Sequence, residues 1–121
     1  MKIRHIAILV SDLEQSIRFY INNFGFTEFK RFSKPGYETD IVLLQSDNIG
    51  LEIFQNSKAK PISRELKLGI RHITIETDNL NEKYKELKNK GIDIDEPIKG
   101  TTCTYCFLRD PDGIELELYE L

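Results

Sequence analysis

The sequence predicts an α+β fold made of two tandem βαβββ modules, and an internal repeat is the main reason. Segment 3–8 (IRHIAI) recurs as segment 70–75 (IRHITI), and segment 51–54 (LEIF) recurs as segment 116–119 (LELY). Each copy of the first segment precedes a helix-like periodicity, and strand-like runs follow that helix. The repeat therefore predicts two modules of the same plan.

The first module is expected to span about residues 1–56. Residues 3–10 are apolar on both faces, as in a buried strand. A helix follows, with Ser11 and Glu14 forming its capping box and Gly25 in the position of a C-terminal cap. Three further strands are predicted, separated by Pro-Gly and Asp-Asn turn signals, over segments 26–31, 38–45 and 50–55.

The second module is expected to span 69–121, after a polar linker over 57–68, so that the whole chain, 1–121, forms one domain. Its first strand is 70–77, and Asn79 and Glu82 cap a helix that Gly91 ends. The last three strands are predicted over segments 92–98, 102–108 and 114–119. One helix covers only one face of a four-stranded sheet, so a second module or a cavity must occupy the other face.

Composition excludes several function classes. The 121 residues carry a net charge of −3, which provides no basic surface for nucleic acid. No apolar run reaches the roughly 20 residues of a membrane helix, and the N-terminus has no signal-peptide pattern, so a cytoplasmic protein is expected. Cys103 and Cys106 fall on opposite faces of a predicted strand, which favours two reduced structural cysteines over a metal or redox pair.

Four residues stand at repeat-related positions: His5, Glu52, His72 and Glu117. Each Glu alternates with apolar neighbours suited to the helix side of its sheet, so the carboxylate should point to the uncovered side. A lone carboxylate among apolar residues is costly unless it is paired or bound to a metal. Two duplicated histidines with ordinary core roles and two edge carboxylates are the alternative interpretation, which the symmetry of all four positions disfavours.

This donor set suits one divalent first-row cation. Two neutral imidazoles and two carboxylates contribute a charge of −2, which neutralises a divalent ion. The donors are of borderline softness and fit Zn²⁺, Ni²⁺, Co²⁺, Mn²⁺ or Fe²⁺, whereas Ca²⁺ prefers oxygen ligands alone.

On these residues the chain resembles the vicinal oxygen chelate superfamily (glyoxalase, bleomycin resistance and dioxygenase proteins), and within it glyoxalase I, the lactoylglutathione lyases. The resemblance covers essentially the whole chain. It rests on the following segments: 4–7 (RHIA), 51–53 (LEI), 71–73 (RHI), 110–113 (DPDG) and 115–118 (ELEL). It implies a curved mixed sheet around a metal-containing cavity, with zinc or nickel foremost among the metals.

The order His, Glu, His, Glu also resembles glyoxalase I more than other branches of the superfamily. Dioxygenases and fosfomycin-modifying enzymes have no ligand at the position of Glu52, and methylmalonyl-CoA epimerases typically have Gln there. Leu9 departs from the pattern, because glyoxalase I often carries at this position an Arg that binds a glutathione carboxylate.

The resemblance implies conversion of a 2-oxoaldehyde–thiol hemithioacetal to a 2-hydroxyacyl thioester. Glu117 matches the catalytic base of the family, and Glu52 is the other candidate. Phe54, Tyr105 and Tyr119 are candidate pocket walls, although ordinary core roles explain them equally well. Asn56 and Lys99 are candidate polar contacts to the substrate.

Three function classes stay open: the glyoxalase-type lyase, another metal-dependent enzyme such as an epimerase or extradiol-type dioxygenase, and a small-molecule-binding resistance-type protein. A homodimer is expected from the resemblance. The four ligands could come from one chain or from two.

Overall fold

The computed structural model describes all 121 residues, which form two compact units, Met1–Pro61 and Ile62–Leu121. The first unit contains, in order, β1 (His5–Val10), α1 (Leu13–Phe24), β2 (Thr27–Phe32), β3 (Ile41–Gln45) and β4 (Gly50–Gln55). The second contains β5 (Ile73–Glu76), α2 (Leu80–Asn89), β6 (Ile98–Lys99), β7 (Thr104–Arg109) and β8 (Glu115–Glu120). The predicted α+β class and the tandem βαβββ plan are confirmed. Neither helix is long and apolar enough to cross a membrane.

Each unit has its own four-stranded mixed sheet. The strand orders are β1-β4-β3-β2 and β5-β8-β7-β6, so the first and last strands of each module are neighbours. These neighbours run parallel, while the other pairs are antiparallel. The topology therefore brings the early His and the late Glu of each module close together, although they are far apart in sequence: His5 lies on β1 and His72 immediately before β5, next to the strands of Glu52 and Glu117.

The helix side of each sheet forms the core of its unit. Leu51 and Ile53 of β4 are fully buried with the α1 residues that pack on them, and Leu116 and Leu118 of β8 are fully buried in the second unit. Each such side chain contributes about 1.5–3 kcal/mol by leaving water. The predicted alternation along β4 and β8 is confirmed, because the glutamates between these residues lie on the opposite, more exposed face.

The prediction that β1 is buried on both faces is wrong. Ile8 and Val10 are buried, but His5, Ala7 and Leu9 on the other face are exposed. Helix α1 contacts the sheet from one side only, so apolar character on the second face is not used for packing within the unit.

Helix α1 begins one residue later than its sequence pattern predicts. Asp12, and not Ser11, is the N-cap, because its extended backbone lets Oδ1 accept from the Gln15 amide at 3.1 Å. The amide of Leu13, the first residue of the helix, donates to Oε1 of Gln55 at 2.8 Å. This bond ties the first turn of the helix to the end of β4.

Helix α2 begins as predicted and repeats the same anchor. Asn79 accepts from the Glu82 amide at 3.1 Å, and the Glu82 carboxylate accepts in return from the Asn79 side-chain amide. The Leu80 amide donates to Oε2 of Glu120, which holds α2 to the end of β8. The position of each helix relative to its site strand is therefore set by the same kind of bond in both units.

The predicted strand over 92–98 is mostly wrong. The only strand in this region is the two-residue β6, Ile98–Lys99, and Ile94 makes a single bridge to Leu108. Pro97 lacks the amide that a continuous ladder needs, and Asp93 and Asp95 are instead bound by Arg109. The segment is held to β7 by this ion-pair cluster and by two backbone hydrogen bonds.

The predicted strand over 38–45 is too long, since β3 begins only at Ile41. The Glu38 carboxylate accepts from the amide and hydroxyl of Ser57 at 2.8 and 2.9 Å. These bonds hold the pKa of Glu38 below its usual value. Residue 38 thus fastens the segment after β4 instead of extending the sheet.

Both cysteines are free, as predicted. Cys106 is fully buried in β7, whereas Cys103 precedes the strand and is half-buried. Burial, with smaller contributions from the charges of Asp95 and Glu117, raises the pKa of the Cys106 thiol to about 11.

The two thiols should therefore differ sharply in reactivity. At pH 8 we expect iodoacetamide to label Cys103 and to leave Cys106 unmodified in the folded chain, because the thiolate is the reactive form. Mass spectrometry of the labelled chain measures this directly. In a C103S variant the native chain should take up no label, and full labelling of Cys106 at pH 8 without denaturant would contradict the expectation.

Candidate functional site

The first unit brings His5 and Glu52 together on the uncovered face of its sheet. In the parallel register of β1 and β4, His5 lies opposite Gly50 and Ala7 lies opposite Glu52, so the two side chains are diagonal neighbours. Nε2 of His5 is 3.4 Å from Oε2 of Glu52. The structure thus pairs two residues predicted to act together.

The second unit repeats this arrangement with His72 and Glu117. His72 stands immediately before β5, so it is not within the strand that the sequence predicts, but it lies beside β8 in the same diagonal relation. Its Nε2 is 3.8 Å from Oε1 of Glu117. Within each unit these donors form a pair, and neither unit groups three or more His, Cys, Asp or Glu side chains in a way that could hold a metal ion.

Neither His–Glu pair is close enough for a good direct hydrogen bond, and the spacing of the first pair suits two ligands of one cation. Donors in a good N–H···O bond are about 2.7–3.2 Å apart, and both His–Glu distances are longer. Two donors bound about 2.0–2.2 Å from one tetrahedral cation lie about 3.4 Å apart. The distance between His5 and Glu52 therefore fits adjacent ligands of a divalent first-row ion, whereas His72 and Glu117, 3.8 Å apart, would have to move closer together to bind the same ion.

The carboxylates are less buried than the sequence suggests. The side chain of Glu52 is 24% exposed and that of Glu117 is 16% exposed. The desolvation cost that favours a cation at these positions is accordingly smaller than for a fully buried carboxylate. The exposure also leaves both pairs open to an ion or a substrate from solvent.

The two pairs differ in one neighbour. In the second unit Thr74 lies directly opposite Glu117, and its hydroxyl donates to Oε1 of that carboxylate at 2.9 Å. In the first unit the residue opposite Glu52 is Ala7, which has no donor side chain. Thr74 is not among the site residues predicted from the sequence, although the repeat itself aligns it with Ala7.

Aromatic side chains line the same face of the second unit. Tyr105 and Tyr119 lie opposite one another in the register of β7 and β8, as candidate pocket walls require. Phe107, which the sequence analysis missed, lies opposite Glu117 with its ring 5.3 Å from that of His72 and 6.0 Å from that of Tyr105. The alternation of β7 was the signal that could have found it.

The hydroxyl of Tyr119 is held at the end of this aromatic face. A hydrogen bond with the Cys103 side chain, aided by the charges of Glu76 and Glu117, raises the pKa of Tyr119. Tyr119 therefore stays protonated at neutral pH and can act as a polar group beside the second His–Glu pair.

The open face of the first unit is more apolar. Phe54 lies two residues beyond Glu52 on β4, opposite Leu9, and its ring packs edge-to-face on Tyr37 at 5.5 Å. Leu43 lies opposite Glu52 in β3. Phe54 therefore lies on the same strand face as Glu52, which is the face where a pocket wall would stand.

The two predicted polar contacts lie at strand ends. Asn56 is exposed after β4, and its side-chain oxygen accepts from the Lys58 amide at 2.9 Å in a turn of its own. Lys99 is exposed at the end of β6. Neither position is brought into contact with the His–Glu pair of its unit by a hydrogen bond or an ion pair.

The side chains of Arg31 and Arg109, which are candidates for binding a substrate anion, are already paired with carboxylates. Arg31 pairs with Glu14 and Glu28 at 2.6 and 2.7 Å. Arg109, only 18% exposed, makes paired contacts to Asp93 and Asp95. Its hydrogen bonds, together with its positive charge, hold the pKa of both aspartates below their usual value. These arginines serve structure and do not offer a free anion site.

Comparison with known proteins shows similarity to one protein family along nearly the whole chain. A family model described as the Glyoxalase/Bleomycin resistance protein/Dioxygenase superfamily matches residues 2–118. The chain is 35% identical to a Bacillus subtilis (strain 168) protein named Uncharacterized protein YwkD, over 98% of this chain and 95% of the relative. It is 26% identical to the Lactoylglutathione lyase of Salmonella typhimurium, over 99% of this chain and 93% of that enzyme.

A solved structure confirms the fold. The glyoxalase family protein from Enterococcus faecalis superposes with a TM-score of 0.87 at 28% identity, covering 98% of this chain and 97% of the other. The tandem βαβββ arrangement is therefore shared over the full length of both proteins.

Proposed function

This chain belongs to the Glyoxalase/Bleomycin resistance protein/Dioxygenase superfamily, and from that membership we propose that it is a metal-dependent isomerase of the glyoxalase I type. Its substrate would be the hemithioacetal of a 2-oxoaldehyde and a thiol, and its product a 2-hydroxyacyl thioester. We further propose that it works in the cytoplasm as one domain, with no nucleic-acid or membrane partner.

The observation that carries the proposal is the pair of equivalent His–Glu arrangements. His5 with Glu52 and His72 with Glu117 occupy the same positions in two copies of one module, with nitrogen–oxygen distances of 3.4 and 3.8 Å. The likeness to lactoylglutathione lyases supports the reaction class, since that name belongs to relatives matched over nearly their whole length. We propose that these four residues hold one divalent ion, with zinc or nickel foremost and Co²⁺, Mn²⁺ or Fe²⁺ as further options.

A divalent ion at these ligands would supply Lewis-acid polarisation of two vicinal substrate oxygens and stabilise the negative charge that develops on them. The side chains of this chain would do the rest. Glu117 would take the C–H proton from one substrate carbon and return it to the adjacent carbon, as a general base and then a general acid. The hydroxyl proton of the first carbon would pass to the oxygen of the second, so that the isomerisation balances. Glu52 would remain a ligand. The aromatic face formed by Phe107, Tyr105 and Tyr119 would exclude water from the reacting carbons.

The thiol carrier is a separate part of the proposal. Leu9 is exposed on the face of the first pair, opposite Phe54, and no arginine stands there for a glutathione carboxylate. We propose that the thiol portion of the substrate meets an apolar surface there. Asn56 and Lys99 are proposed to contact its polar groups from the ends of β4 and β6.

A homodimer is also proposed, on the likeness to glyoxalase I. Mass measurement in solution should give twice the chain mass of 14.1 kDa. If ligands come from two chains, mixing an H5A/E52Q variant with an H72A/E117Q variant should restore metal binding that neither has alone. A monomeric mass would contradict the dimer.

The proposal is tested by assay of the metal-loaded chain. Metal-free protein should be inactive, and loading with Ni²⁺ or Zn²⁺ should produce thioester from methylglyoxal mixed with a thiol. Glutathione and a smaller, uncharged thiol should be compared, and the smaller thiol should be used at least as well. Absence of thioester formation with every metal and thiol would overturn the proposed reaction.

A second candidate function is another metal-dependent enzyme of the superfamily, such as an epimerase or an extradiol-type dioxygenase. The same His–Glu pairs favour it over a metal-free, resistance-type binding protein. Oxygen uptake by the Fe²⁺-loaded chain with a catechol would indicate the dioxygenase.

A further inference from the structure

The two His–Glu pairs are related by the internal repeat, yet only one of them has a hydroxyl partner. Ala7 and Thr74 occupy equivalent positions on β1 and β5, each directly opposite the glutamate of its unit. The Thr74 hydroxyl donates to Oε1 of Glu117 at 2.9 Å. The His and Glu of the first pair have counterparts in the second, so the Thr74 hydroxyl is a hydrogen-bond donor to the glutamate that the first pair lacks.

This hydroxyl acts on the oxygen that matters for the pair. Oε1 of Glu117 is also the atom nearest to Nε2 of His72, at 3.8 Å. A carboxylate oxygen has two lone pairs, so it can accept from Thr74 and still face a cation beside His72. Thr74 therefore orients the glutamate without occupying the whole oxygen.

The donor is itself well fixed. Thr74 is β-branched, with restricted χ1 rotation, and it lies in the middle of a strand paired with β8. A glutamate side chain otherwise has three rotatable bonds, whose freedom is lost when it binds a metal. In the second unit part of that ordering is present before any ligand arrives, whereas Glu52 beside Ala7 has no such partner.

We propose that Thr74 is a positioning residue that holds the Glu117 carboxylate beside His72 and so orders this ligand before a metal ion binds. This inference rests on the proposed function for its metal. Partners of this kind orient ligands in metal sites, and their loss typically weakens metal affinity about 10–100-fold.

The test is Ni²⁺ titration of the metal-free chain by calorimetry, with three variants. T74V keeps the shape and strand preference of threonine but removes the hydroxyl, and T74S keeps the hydroxyl. A7T adds a hydroxyl at the matched position of the first unit. We expect T74V to weaken Ni²⁺ binding at least about tenfold, T74S to recover most of that loss, and A7T not to weaken binding.

Thermal unfolding of the same metal-free variants separates positioning from structure. We expect the T74V midpoint to stay close to that of the wild type, because the side chain is exposed and valine is a good strand former. Wild-type Ni²⁺ affinity in T74V, or equal weakening in T74V and A7T, would overturn the role of Thr74 alone. Failure of the unaltered chain to bind Ni²⁺ or any other first-row ion would instead overturn the proposed function.

Discussion

The E117Q variant should lose turnover of the hemithioacetal isomerisation by about 10²–10⁴-fold, the usual contribution of a positioned general base. An amide is nearly the same size as the carboxylate but cannot accept the substrate proton. It also removes one negative charge from the proposed ligands, so metal binding should weaken. Steady-state rates of the nickel-loaded variant, corrected for metal content, measure the effect.

E52Q is the matched control, because Glu52 has the same place in the other module. As a ligand and not the base, it should lose metal affinity but keep a larger fraction of turnover at saturating metal than E117Q does. Gln at the position of Glu52 is also typical of the methylmalonyl-CoA epimerases that the chain resembles. Full activity in E117Q, or an equal loss in both variants, would contradict the assignment of the base.

The D110A variant should lose about 2–4 kcal/mol of stability, because each buried donor left unsatisfied costs about 1–3 kcal/mol. Asp110 is 5% exposed, and its Oδ1 accepts from the amides of Asp112 and Ile114 at 2.9 Å each. These bonds shape the turn before β8, where Gly113 adopts a positive φ of 86°. Chemical unfolding of the metal-free chain measures the loss.

D110N provides the control for this turn. Its side-chain oxygen can accept the same two amide bonds, so it should retain at least half of the stability that D110A loses. Because the turn leads directly into β8, the D110A variant should also increase the mobility of the Glu117 side chain. Equal stability of D110A and the unaltered chain would show that the turn does not depend on its aspartate.

The repeat made most of the fold predictable. Two copies of one pattern define two modules, and alternation along β4 and β8 correctly separates Leu51 and Leu116 from the glutamates beside them. Predictions of strand and helix bounds failed where an ion pair or the backbone of a single residue decides the local conformation. Arg109 and Pro97 prevent a long strand over 92–98, and the extended backbone of Asp12 moves the start of α1.

The candidate site was predictable only in part. Repeat symmetry identifies His5 and His72 with their glutamates, since no other histidines exist in the chain. Phe107 and Thr74 were not found, because their importance depends on the register of β7 and β5 with β8. Sequence alternation indicates the face of a side chain, but only the register shows which residue lies opposite it.

Metal analysis of the purified chain, alongside an H5A/H72A double variant, shows whether the two His–Glu pairs hold a metal ion. Each histidine lies beside the glutamate of its own unit, so removing both leaves each carboxylate without its nitrogen partner. We expect about one first-row metal ion per proposed four-ligand site in the unaltered protein and loss of that metal in the variant. Absence of metal after loading with Ni²⁺ or Zn²⁺, or equal metal content in both proteins, would contradict it.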